Sequence, residues 1–183
     1  MLKNDCLEKC VVFLLIIYSY FPYSVSAHEG HDHSHEEIIT IRKKPIVHLQ
    51  SILSAYRGVY SNLVKKDLNG IADLAKKLSE AAQQALQTEP KGPANHMMQH
   101  VLEGAENLQK AKNIQEAQQS FASISNALCP FFKSWPNQLK RNELKLYRCK
   151  KDVHSWLQPQ KLSPVCPYAS SGTFVCSEIE EAK

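Results

Sequence analysis

The chain has 183 residues, a formal net charge of +4, 22% charged residues and only six glycines. The charge is mild, and the basic residues alternate with acidic ones without aromatic-plus-basic clustering, which argues against a nucleic-acid-binding surface. Lysine pairs at 43–44, 65–66, 76–77 and 150–151 read as solvated surface.

The first 27 residues read as an export signal. An apolar stretch, Cys10 to Phe21, has the length of a signal core and is short for a membrane span. Val25 and Ala27 then give the small-x-small pattern of a cleavage site. Cleavage after Ala27 makes His28 the mature N-terminus and leaves no membrane association; the alternative is an uncleaved anchor. Cys129, Cys149, Cys166 and Cys176 remain, an even number that favours disulfides in a periplasmic or secreted chain. Three pairings are open, and at least one bridge is expected within the C-terminal segment.

Residues 28–44 are expected to be a flexible, polar, histidine-rich tail. From Pro45 the pattern becomes periodic. Ile46, Leu49, Leu53, Tyr56, Tyr60 and Leu63 recur at spacings of three and four, which predicts an amphipathic helix over about 46–66. Asp67 is the expected cap of a second helix, with Leu68, Ile71, Ala75, Leu78, Ala82 and Ala85 as its stripe. "TEPKGP" at 88–93 ends it. A third helix is expected over about 94–111, with Met97, Val101, Ala105 and Leu108 on one face. Asn113 and Glu116 resemble a capping box for a fourth, with Ile114, Ala117, Phe121, Ile124 and Leu128 inward. Pro130 and Pro136 are expected to bracket its end.

Four helices with short connections predict an all-α, up-down-up-down antiparallel four-helix bundle over 45–136. Residues 137–183, proline-rich and aperiodic, are expected to form an irregular, cysteine-containing cap of the same domain, with a short extended piece at "LKLYRC".

Three groups of residues carry candidate chemistry. His28, His31, His33 and His35 are closely spaced imidazoles, with Glu29 and Asp32 as oxygen donors, and suit copper, zinc or nickel. The bland alternative is a solvated leader. In "HMMQH", His96 and His100 are four apart and share a helix face, while Met97 and Met98 offer thioether sulfur. Against a metal role, Met97 lies on the apolar stripe, where methionine is an ordinary core filler. The third group is the cysteine-bearing C-terminal segment, where Cys149 is either a thiolate ligand or a disulfide half, with His154 nearby. No nucleophile elbow, glycine-rich phosphate loop or H-E-x-x-H is present, so no enzymatic role is expected.

Tyr147, Cys149, Trp156–Leu157, Pro167–Tyr168 and Cys176 follow one another in an order that resembles the end of a bacterial exported domain, the domain-of-unknown-function family 3347. "AYRGVYSNLVKKDLNGIADLAKKL" resembles that family's first helical hairpin. "AKNIQEAQQSFASISNALCPFF", with Phe121 and Ser125 at an F-x-x-x-S signature, resembles its last helix. The likeness covers about residues 46–178. The chain departs from the family's C-P-M at Cys149-Lys150-Lys151, losing the methionine, and from its N-P-Y-Y-G at "CPYAS". The domain also occurs on adaptor subunits of heavy-metal efflux pumps. The resemblance therefore implies a metal, copper first and zinc or nickel next, and a heavy-metal efflux adaptor as partner. The expectation is a non-catalytic metal buffer or carrier. Its rival is an envelope interaction module whose histidines only solubilise the tail.

Overall fold

Helix α1 spans Ile46–Lys65, α2 Ile71–Thr88, α3 Pro93–Gln109 and α4 Ile114–Ser134. Strands β1 (Leu144–Cys149), β2 (Ser155–Pro159) and β3 (Ile179–Glu181) follow. The structure, a computed structural model, describes Ile39, Ile41 and residues 44–134, 143–149, 154–169 and 179–181. The expected export signal, the histidine-rich stretch, Trp135, Pro136 and Cys176 lie outside the described residues. No described helix is long and apolar enough to cross a membrane.

The helices form a four-helix bundle in which each packs on its neighbour in sequence. The expected stripes are its core: Leu49, Leu53, Tyr56, Ala75, Leu78, Ala82, Val101, Ala105, Phe121, Ile124 and Leu128 are all buried. The helices α3 and α4 approach closely at Gly104, where an added Cβ would lie 2.6 Å from Ile124 Cγ1. The absence of a side chain there is what lets the two backbones come together. Ile39 and Ile41 are buried as well, so the polar tail ends before them, at a pair of alternate apolar residues that join the core.

Local chemistry sets the boundaries. Lys66 adopts a left-handed conformation (φ 56°) and donates to Leu63 O, while Asp67 N–H donates to Asn62 O. This pair of bonds is a Schellman stop. Asp67 is therefore not the cap of α2. Its carboxylate accepts from Asn69 N–H in a local turn, and the helix starts after Gly70, which is also left-handed (φ 75°). The Asn113–Glu116 box forms: Asn113 Oδ1 accepts from Glu116 N–H at 2.9 Å. The Glu116 carboxylate takes Lys112 N–H at 2.8 Å, one residue earlier than in the usual box.

α4 ends at Ser134, between positions 130 and 136 as expected, with Pro130 inside the helix. The missing Pro130 N–H would have served the carbonyl of Asn126, on the exposed face where water can replace it, and buried Phe131 anchors the final turn. One expectation is corrected: the fold is not purely helical, and the C-terminal segment is not irregular throughout. The extended piece at "LKLYRC" is β1, the central strand of a three-stranded antiparallel sheet of order β2-β1-β3. Leu146 pairs with Leu157 and Tyr147 with Trp156. Alternation along β1 is weak because both faces carry apolar residues, and β2 packs against α4 and α1.

Candidate metal centre

Pro93 pre-sets the first turn of α3, and His96 N–H closes that turn on Gly92 O. Four residues on, the helix brings His100 above His96. The two rings lie with centroids 4.4 Å apart, inclined at 73°, and their Nε2 atoms are 3.1 Å apart. His96 is exposed and His100 partly so. On the next turn, a Glu103 carboxylate oxygen lies 3.5 Å from His100 Nδ1. With its proton on Nδ1, facing that carboxylate, His100 would turn the Nε2 lone pair towards His96. At 3.1 Å the two ring nitrogens stand at hydrogen-bond distance, one donating and the other accepting according to tautomer.

The thioethers do not join the histidines. Met97 and Met98 are 7% and 0% exposed and pack in the core. The HMMQH segment thus separates into an outward imidazole pair and an inward methionine pair. Cys149 is a buried thiol in the middle of the sheet, with its N–H donating to His154 O. Cys129 is a second buried thiol, and Cys166 is disulfide-bonded. His154 sits at the start of β2 with its ring against Tyr168, centroids 5.5 Å apart. His28, His31, His33 and His35 lie outside the described residues. Among the described residues no three His, Cys, Asp or Glu side chains converge, so the cluster on α3 comprises two imidazoles alone.

A buried hydroxyl network that no spacing pattern announces joins bundle to sheet. Tyr56 OH and Ser125 Oγ are 2.7 Å apart, and Tyr168 OH donates to Ser125 Oγ at 3.1 Å. Tyr56 OH also accepts the Leu157 N–H at 3.2 Å, so α1 satisfies a backbone donor on the sheet's outer strand. Tyr60 OH donates to Gln158 Oε1, which also accepts from Trp156 Nε1 and Val165 N–H. The amide of Gln158 in turn donates to Leu162 O and Ser163 O. Phe121 stacks on Tyr56 at 4.5 Å, and Tyr168 meets both Phe121 and Trp156 at 6.0 Å. Burial pushes the Tyr56 and Tyr168 hydroxyls well above the usual tyrosine range, with nearby Cys129 adding to the effect on both. Burial, then the neighbouring Tyr147, pushes Tyr60 up to about 12. These tyrosines are neutral donors and acceptors that hold structure. The motif residues Phe121, Ser125, Trp156 and Tyr168 therefore meet in one packed, buried seam.

Residues 52–138 match the family model described as "Protein of unknown function (DUF3347)". The resemblance read from the helical motifs thus stands over the bundle. No curated protein and no solved structure matches the chain.

Proposed function

We propose that this chain is an exported, periplasmic or secreted carrier or buffer for a transition metal, copper first and zinc or nickel next, serving a heavy-metal efflux system without a bond-making step. The observation that carries the reading is the 3.1 Å approach of the His96 and His100 Nε2 atoms on an accessible helix face. The run of His28, His31, His33 and His35 supports it with a second set of imidazoles in the same chain. Short links at 66–70, 89–92 and 110–113 support an up-down-up-down order for the four helices, which would present the N-terminal end of α3 at one end of the bundle. Cys149, buried within the sheet, and Met97 and Met98, buried in the core, serve the fold in this reading and not the ion.

The rival is an envelope interaction module. It draws on Leu162 and Val165, which are 52% and 41% exposed on the turn beyond β2. Elemental analysis of the exported protein separates the two. The carrier reading expects bound copper or zinc that falls in the H28A/H31A/H33A/H35A variant and falls further when H96A/H100A is added. Metal-free protein after growth in copper- or zinc-supplemented medium would overturn it.

A further inference from the structure

Two nitrogens that hold one ion subtend an angle at it fixed by their separation. With metal–imidazole bonds of about 2.0–2.1 Å, the 3.1 Å between His96 and His100 Nε2 corresponds to roughly 100° at a shared ion. That angle lies between the square arrangement favoured by Cu(II), about 90°, and the tetrahedron favoured by Zn(II), about 109°. It is far from the near-linear pair, about 180°, that two imidazoles give Cu(I).

The surroundings favour the same ions. The soft sulfur donors that would suit Cu(I) are turned into the core at Met97 and Met98. Glu103 at His100 Nδ1 is the carboxylate partner that raises a ligating imidazole's basicity and fixes its tautomer. Resting on the carrier reading, we infer that His96 and His100 form a cis chelate for a divalent ion, Cu(II) more tightly than Zn(II), that Cu(I) does not use it, and that Glu103 is its positioning residue. The remaining coordination positions go to water or to an incoming ligand, which makes the ion exchangeable.

The test uses the full chain carrying H28A/H31A/H33A/H35A, and the same chain with H96A, H100A or E103Q added. Each is titrated with Cu(II), with Zn(II), and anaerobically with Cu(I) against a competing chelator. Nitrogen hyperfine splitting in the Cu(II) electron paramagnetic resonance spectrum counts the bound imidazoles. The expected result is one Cu(II) with two imidazoles, lost in H96A and H100A, and weakened about tenfold in E103Q with a shifted imidazole 15N tautomer signal. Cu(I) uptake is expected to be unchanged by H96A or H100A. Cu(II) binding indifferent to both substitutions, or Cu(I) affinity that falls with either, would overturn the chelate. If the wild-type chain binds metal and the tail variant does not, the carrier reading stands and the chelate falls. If the wild-type chain binds none, both fall.

Discussion

The chain carries two clusters of polar side chains, and they stand in opposite circumstances. Tyr56, Ser125 and Tyr168 are sealed between α1, α4 and the sheet, each hydroxyl bonded within the protein. His96 and His100 face outward on α3 and approach each other at 3.1 Å. A buried, fully bonded polar group is expensive to disturb and inert towards solvent. An exposed pair costs the fold little to keep or lose and is open to a ligand. Tyr56 and Ser125, within the stretch that matches the family model, fall in the first cluster.

Substitutions can break this contrast in order of expected size. Trp156→Ala empties a fully buried site against Tyr168 and Tyr147 and is expected to cost about 3–5 kcal/mol, read from urea unfolding. A loss under 1 kcal/mol would mean that the sheet contributes little to the bundle. Tyr56→Phe keeps the packing on Phe121 but leaves Leu157 N–H without its acceptor, for about 1–3 kcal/mol. An unchanged unfolding midpoint would show that the hydroxyl is dispensable.

The same seam should respond to alkali. Unfolded tyrosine ionises near pH 10, whereas folded Tyr60 is pushed up to about 12 and Tyr56 and Tyr168 are also raised. A raised folded-state value means stability fully present below about pH 10 and lost as the pH climbs through about 12. Denaturation midpoints taken across that window, with tyrosinate absorbance, should fall together; a flat profile would contradict the burial. The smallest effect on stability belongs to H96A/H100A, expected within about 0.5 kcal/mol without metal. With zinc at a hundred times its dissociation constant, the wild-type chain should gain about 2.7 kcal/mol that the double variant lacks. A large metal-free loss would move the histidines into the first class.

The sequence displayed what is local. Three- and four-residue spacing located all four helices, Asn113 and Glu116 announced their box, and the i,i+4 step from His96 to His100 put two imidazoles on one face. The same periodicity placed Met97 on the apolar stripe, but Met98 was also a ligand candidate until the packing buried it. What escaped was non-local or a matter of competition. Asp67 lost its capping role because Lys66 and Gly70 took left-handed conformations around it. The sheet went largely unread because strand pairing joins residues that no spacing rule connects. Only the packing shows that Tyr56 belongs with Ser125 and Leu157. Ile39 and Ile41 were masked by their polar neighbours, too short a run to show a period.

The bond from Leu157 N–H to the Tyr56 hydroxyl joins residues 101 positions apart. The stretch that matches the family ends at 138, but the partners of its buried hydroxyls lie at 155–168. The four helices alone pair Tyr56 with Ser125 but leave Tyr56 without the Leu157 N–H and Tyr60 without Gln158. Closure waits for the last segment to emerge, and such distant contacts form slowly compared with those between neighbouring helices. The bundle's buried hydrogen bonds are completed only when residues 155–168 dock on it.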